Sequence, residues 1–267
     1  MRTEPMPYNF DFDYQTEGDR MMTTRSTTLL TQLALLLFGS ASYAQCVPIA
    51  FAPTTISTSG AYCVTANLSS ATIHAPAISV NASSVTLDFQ GFRLRWTGST
   101  SSGVAGVSIQ PNKLNVTVRN GLVSGFTTGI ESSAAGTIVE DMRLNNNDLG
   151  VAIRVGGEGS IIRRNSIRLG NGIQVEGSND PSDVANTGSV RIVDNDIFGP
   201  ETAQGSNGSN GIYIQSKNAF VVGNRLGRLY TGIWFDVLRQ ATGKYRDNLN
   251  TNVTTPYQGG TDVGNNN

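Results

Sequence analysis

A short pattern, made of a glycine, an apolar residue, any residue and a second apolar residue, recurs along this chain. Its copies are residues 106–109, 150–153, 172–175, 211–214 and 232–235, with a weaker copy at 129–132. The glycines that begin the six copies are 23, 21, 22, 39 and 21 residues apart. A period of about 20 residues with one short strand pattern is typical of a solenoid, in which each repeat stacks on its neighbours.

A second pattern follows each glycine copy. It begins with an apolar residue and two variable residues, which are followed by a small residue or an asparagine. One further residue and usually a second apolar residue complete it. Asparagine occupies that position in the later copies, at Asn165, Asn195, Asn224 and Asn248. Asparagine amides can hydrogen-bond to the backbone of a turn, so we expect these four side chains to form a structural ladder from coil to coil.

The composition agrees with strands joined by tight turns. The chain has 30 glycines in 267 residues, whereas aromatic residues make up 7% and charged residues 15%. Glycine and asparagine tolerate the backbone of turns, and valine and threonine favour strands. The two patterns therefore predict an all-β fold, a parallel β-helix of about seven coils over residues 77–253.

The repeats, the opening at residues 60–65 and the Val-Thr-Leu-Asp-Phe-Gln-Gly turn at residues 85–91 resemble the pectate-lyase-like superfamily of secreted β-helix proteins. The resemblance covers residues 59–253 and implies a single-stranded, right-handed parallel β-helix. Lyases of this superfamily bind calcium through clustered Asp and Glu residues and use an arginine as the base. Arg154 beside Glu176 and Asp236 is the nearest analogue here, but the pattern does not match closely enough to transfer those roles.

The N-terminus carries an export signal. An apolar run at residues 29–38 follows Arg25 and precedes Ser42-Tyr43-Ala44, whose small residues suit a cleavage site. We expect a signal peptide at residues 21–44, a secreted or periplasmic mature chain that begins at Gln45, and no membrane span in that chain. Residues 1–20 are acidic, unlike the start of a signal peptide, and we interpret them as a misplaced start. An uncleaved anchor is the alternative, although the run is shorter than the ~20 residues that cross a bilayer.

Two cysteines, Cys46 and Cys63, lie at the start of the mature chain. An oxidising compartment would let them pair, and the bond would staple an N-terminal cap over residues 45–76. Two free thiols are the alternative. At the other end, residues 254–267 are polar, and we expect a disordered tail there.

One repeat is longer than the others, since two of its glycines are 39 residues apart. It carries insertions at residues 177–187 and 199–209, and both should stand beside the same strand face. Loops on a rigid scaffold often carry function, with tolerated loops of no role as the alternative. Asp180 and Asp183 of the first insertion are candidates for binding Ca²⁺, with a solvated acidic loop as the alternative. We expect no other cofactor.

Alternation places two columns of side chains on the outer side of the glycine-pattern strands, two and four residues after each glycine. Tyr213 and Trp234 of the first column are therefore expected to be neighbours on adjacent coils, with Gln174 and Gln215 around them. Exposed rings suit the apolar faces of sugars, and amides suit sugar hydroxyls, so these four residues are candidates for substrate binding. The alternative is that the rings cover a loop or stack on each other.

Three charged residues of the second column are candidates for catalysis. Glu176 and Asp236 are expected two coils apart, which separates their Cα atoms by about 9.6 Å. That distance is compatible with the two carboxylates of an inverting glycosidase. Arg154 should lie beside them. A charge pair on a solvated strand face is the alternative.

Other chemistries lack their residues. His74 is the only histidine, so a His-based triad or a zinc site is not expected. Removal of residues 1–44 takes away three basic and five acidic residues and leaves 16 basic and 15 acidic ones, without a basic run. We therefore expect no nucleic-acid partner.

Two functions fit these features. The first is a secreted protein that binds or acts on an extracellular polysaccharide; if it is an enzyme, we expect a polysaccharide lyase or a glycoside hydrolase. The second is a non-catalytic structural or adhesive β-helix of the cell envelope that binds a protein partner. Exposure of the aromatic pair in a groove favours the first function, and coverage of the pair favours the second.

Overall fold

The computed structural model describes residues 46–99, 103–177, 189–200 and 209–267. The expected leader and signal peptide, and most of both insertions, lie outside these residues, as do Asp180 and Asp183. Short strands dominate the described part. A 3-10 turn at Val237–Arg239 follows one of them. No helix in the described part is both long enough and apolar enough to cross a membrane.

The strands follow one another at short intervals. In chain order they are β1 (Val47–Ile49), β2 (Thr54–Ile56), β3 (Gly60–Val64), β4 (Leu68–Ser70), β5 (Ile78–Val80), β6 (Val85–Asp88), β7 (Arg93–Trp96), β8 (Ala105–Ile109), β9 (Thr117–Ser124), β10 (Thr128–Ser132), β11 (Ile138–Asn145), β12 (Leu149–Ile153), β13 (Ile161–Arg163), β14 (Ser166–Arg168), β15 (Asn171–Val175), β16 (Arg191–Val193), β17 (Asp196–Phe198), β18 (Asn210–Ile214), β19 (Ala219–Val222), β20 (Arg225–Phe235), β21 (Gly243–Arg246), β22 (Leu249–Gln258) and β23 (Thr261–Asp262).

These strands form one large parallel sheet with three ladders of pairing. Ladder A contains β2, β5, β8, β10, β12, β15, β18, the second half of β20 and the end of β22. Ladder B contains β1, β3, β6, the first halves of β9 and β11, β13, β16, β19, β21 and β23. Ladder C contains β4, β7, the second halves of β9 and β11, β14, β17 and the first parts of β20 and β22. The chain visits A, B and C in turn, which is the path of a solenoid-like β-helix.

The apolar residue after each pattern glycine fills the core. In ladder A these residues are adjacent in register and at most 1% exposed: Val107, Ile130, Val151, Ile173, Ile212 and Ile233. Burial of one such aliphatic side chain contributes about 1.5–3 kcal/mol to stability. The stack thus explains why the pattern repeats with the period of one coil.

The glycine of the pattern has a steric reason. A Cβ at Gly129 would lie 2.7 Å from the carbonyl oxygen of Gly150, and a Cβ at Gly150 would lie 2.8 Å from that of Gly172. The backbones of successive coils therefore approach too closely for any side chain at this position.

The four expected asparagines form a continuous, buried ladder. Asn195 illustrates the pattern: its Nδ2 donates to the carbonyl of Ile162, and its Oδ1 accepts from the backbone N–H of Asn165. The same contacts repeat at Asn165, Asn224 and Asn248. The ladder ends on Asn266, whose Oδ1 accepts from the backbone N–H of Asn248. These amides satisfy turn backbone that would otherwise be buried without partners.

The two ends differ in part from expectation. Cys46 and Cys63 form the expected disulfide, with Cα atoms 5.6 Å apart. However, β1 to β4 already pair within the three ladders, so the β-structure begins within residues 45–76, before residue 77. The expectation of a disordered tail at residues 254–267 is wrong, because β22 and β23 pair there with β20 and β21. Strand pairing and the hydrogen bond from Asn248 to the Asn266 amide hold this segment in place, although its sequence is polar.

Candidate functional site

The outer side of ladder A carries the two columns of side chains that the alternation predicts. Register places the first column side by side: Ser108, Glu131, Ala152, Gln174, Tyr213 and Trp234. Backbone hydrogen bonds between successive coils align the second column: Ser133, Arg154, Glu176, Gln215 and Asp236. The candidate residues thus share one side of ladder A, where Gln174, Tyr213 and Trp234 are half-buried and Gln215 and Asp236 are buried.

Tyr213 and Trp234 pair across neighbouring strands. Their ring centroids are 4.6 Å apart, and the ring planes are inclined by 36°. Both side chains are half-buried. Each ring therefore covers part of the other while some of its surface remains open to solvent, a result between the two outcomes expected from the sequence. Gln174 lies beside Tyr213 in register and is also half-buried.

A polar network fixes the hydroxyl of Tyr213. The hydroxyl donates to Oδ2 of Asp236 at 2.6 Å and accepts from Nε2 of Gln215 at 2.9 Å. Burial raises the pKa of Tyr213, and the bond to Asp236 raises it further. The phenol is therefore held as a neutral donor whose direction is set by the carboxylate.

Asp236 also has a structural task. It is only 7% exposed, and its Oδ1 accepts from the backbone N–H of Leu238, so that it caps the 3-10 turn after β20. The Arg239 guanidinium lies 3.7 Å from its Oδ2. The carboxylate is thus occupied on both oxygens by groups of its own chain.

Arg154 lies in a separate ion cluster. Its Nε donates to Oε1 of Glu131 at 2.6 Å, and its Nη1 donates to Oε1 of Glu176. Burial lowers the pKa of Arg154, but the two carboxylates outweigh this and leave the pKa raised. A raised pKa opposes the loss of a proton that a base would require.

The three candidate catalytic residues are therefore divided between two networks. Arg154 and Glu176 are paired with each other, whereas Asp236 serves Tyr213 and the 3-10 turn. Gln215 lies between Glu176 and Asp236 in the column. In the described part of the chain, no hydrogen bond or ion pair joins Asp236 to either of the other two.

Glu131 is the member of this site that sequence reasoning did not select. It stands in the first column, and Arg154 in the second column of the next coil reaches it. Only its place two residues after Gly129 could have indicated it. Among the described residues, no group of three or more His, Cys, Asp or Glu side chains is arranged to hold a metal ion.

Comparisons with protein-family models, with curated proteins and with solved structures find no significant match to this chain. The resemblance to pectate-lyase-like proteins therefore rests on the repeats themselves.

Proposed function

We propose that the mature chain is a secreted or periplasmic, right-handed parallel β-helix of about seven coils with pectate-lyase-like repeats. In this proposal it binds an extracellular polysaccharide along the outer side of ladder A. The observation that carries the proposal is the half-exposed pair of Tyr213 and Trp234, flanked by the amides of Gln174 and Gln215.

The chemistry of this face suits a sugar chain. Aromatic rings offer a rigid apolar surface at a low cost in conformational entropy, and the apolar C–H faces of sugars can pack against them. The half-buried amide of Gln174 can exchange hydrogen bonds with sugar hydroxyls, while the buried amide of Gln215 holds the Tyr213 hydroxyl in place. The strand face is also rigid, because its backbone is hydrogen-bonded to the coils on both sides.

The geometry supports binding better than catalysis. A general acid or base must reach the substrate with a proton to give or a lone pair to accept. Both oxygens of Asp236 already accept hydrogen bonds, one from the Tyr213 hydroxyl and one from the Leu238 backbone, and Glu176 is paired with Arg154. Lyase or glycosidase chemistry would require both networks to open.

A structural or adhesive role in the cell envelope is the second candidate. It is favoured by the contact between the two rings and by the bond that ties Tyr213 to Asp236, since both stabilise neighbouring coils without any ligand. In this case the face would bind a protein partner.

A polysaccharide array with the mature protein distinguishes these functions. Binding and the release of sugar ends should be measured together, first with the parent and then with Trp234→Ala. Phe220→Ala is the matched control, because Phe220 is an exposed ring on ladder B, away from the candidate face. We expect the parent to bind without releasing ends, Trp234→Ala to lose most of the affinity, and Phe220→Ala to keep it.

Three results would contradict the proposal. The parent could bind no polysaccharide, or the two variants could lose affinity equally. Release of new sugar ends by the parent would reject the non-catalytic form of the proposal. A melting temperature for each variant separates lost binding from lost folding.

A further inference from the structure

A groove lies on the outer side of ladder C, away from the face just described. It consists of two adjoining depressions of about 540 and 470 Å³, which share Arg93 and Leu122 in their walls. The groove spans the strands β7, β9 and β11. No repeat or motif in the sequence predicts this groove.

An enlarged corner forms one wall of the groove. Asp88 pairs with Arg119 in ladder B, and Arg93 pairs with Leu122 in ladder C. Arg93 is five residues after Asp88, whereas Leu122 is only three residues after Arg119, so the corner between the two ladders is longer in the first of these coils. The extra residues form the turn around Gln90 and Gly91, which lines the groove. This corner is anchored from inside, because Phe89 is fully buried.

Gly121 makes room for that anchor. A Cβ at Gly121 would lie 2.2 Å from the Cβ of Phe89, so no other residue fits below the ring. Gly121 occupies the position that asparagine takes in the later coils. Phe89 and Gly121 therefore fix this corner of the groove from inside the fold.

The groove carries an excess of positive charge. Arg93, Arg95 and Arg143 are exposed, and within the described residues none of them forms an ion pair. The acids nearby are already neutralised. Asp88 is paired with Arg119 at 2.9 Å, and Asp141 is paired with Arg164 at 2.8 Å.

The three cations are spaced along two directions. Arg93 and Arg143 are both in register with Leu122, one on each side, so their Cα atoms are about 10 Å apart, twice the strand spacing. Arg95 follows Arg93 by two residues on the same face, about 7 Å along the strand. Asn67, Asn120 and Asn145 also line these depressions.

We propose that this groove is a second binding site, which takes an anionic glycan: a hydroxyl-rich chain that bears carboxylate or sulfate groups. A guanidinium binds such oxyanions through two parallel hydrogen bonds, and its charge cannot be lost. The surrounding amides provide partners for hydroxyls. Nucleic acid fits less well, because the one aromatic residue in the walls, Trp96, is only 8% exposed and offers no stacking platform. The proposal does not depend on the site at ladder A.

The test uses the mature protein and three soluble chains of similar length: dextran sulfate, a polyuronate and neutral dextran. We expect dextran sulfate, the polyuronate or both to bind, and neutral dextran not to bind. Which of the anionic chains binds identifies the charged group. In Arg93→Gln/Arg143→Gln the Kd should rise by about tenfold or more, and the remaining affinity should depend less on salt.

Arg191→Gln is the matched control. Arg191 is also exposed, lies on ladder B and has no ion pair among the described residues, so its loss should leave the Kd nearly unchanged. Trp234→Ala should also bind normally, which separates this site from the proposed one on ladder A. The inference is overturned if no anionic chain binds, or if Arg191→Gln weakens binding as much as the double variant. It is also overturned if poly-glutamate binds as tightly as the glycans.

Discussion

Tyr213 in β18 and Asp236 directly after β20 are joined by a 2.6 Å hydrogen bond across neighbouring strands. Asp236 uses its other oxygen to cap the next turn, and the ring of Tyr213 packs against Trp234. One carboxylate thus links a turn, a strand and the aromatic surface of the candidate site. This link makes the ring rigid before any ligand arrives, which reduces the entropy lost on binding.

The first prediction separates the ring of Tyr213 from its hydroxyl. Tyr213→Phe keeps the ring but removes the donor to Asp236, so the free energy of unfolding should fall by about 1–2 kcal/mol. Affinity for a polysaccharide should change by less than about fivefold if the ring is the main contact. Denaturant unfolding and a binding titration on the same samples check both values. A complete loss of binding in a folded Tyr213→Phe variant would show that the hydroxyl, and not the ring, recognises the sugar.

The second prediction concerns the asparagine ladder. Asn195→Leu leaves the backbone N–H of Asn165 and the carbonyl of Ile162 buried without their partners, at a cost of about 1–3 kcal/mol for each group. Asn81→Leu, at an exposed position of the outer strand face, should have little effect. Thermal or denaturant unfolding measures the difference. Equal losses in the two variants would mean that the ladder contributes nothing specific.

The third prediction is a loss of stability at high pH. Burial raises the pKa of Tyr257 to about 12, compared with about 10 for an unfolded tyrosine. Because the folded state disfavours the phenolate, the contribution of Tyr257 to stability is fully present below pH ~10 and is lost as the pH rises towards 12. Unfolding measured from pH 9 to 12 should therefore decline less steeply in Tyr257→Phe than in the parent. Identical profiles would exclude Tyr257 as a source of the decline.

The fourth prediction distinguishes a catalytic from a structural Glu176. Glu176→Gln keeps the shape of the side chain but weakens the ion pair with Arg154. In the binding protein that we propose, affinity should change by no more than a few-fold, and neither the parent nor the variant should release sugar ends. Turnover in the parent that disappears in Glu176→Gln would instead give this carboxylate a role in proton transfer.

The sequence by itself determined which residues stack. The spacing of the glycines aligns Tyr213 with Trp234, and the second pattern aligns Asn195 with Asn224, because every coil buries the same positions and one register satisfies all of them. The presence of only two cysteines likewise left one pairing, between Cys46 and Cys63.

Only the tertiary structure decided which outward side chains meet. Arg154 could approach several acids from its place in the column, and the fold gives it Glu131 and Glu176 but not Asp236. The groove around Arg93 was hidden as well, since it depends on a corner two residues longer than the next one and on the ring of Phe89 inside it. The physical reason is the same in both cases. Residues that point inward repeat with one period because the core is close-packed. Polar residues that point outward can pair with several neighbours, and the local shape of each turn determines which pairs form.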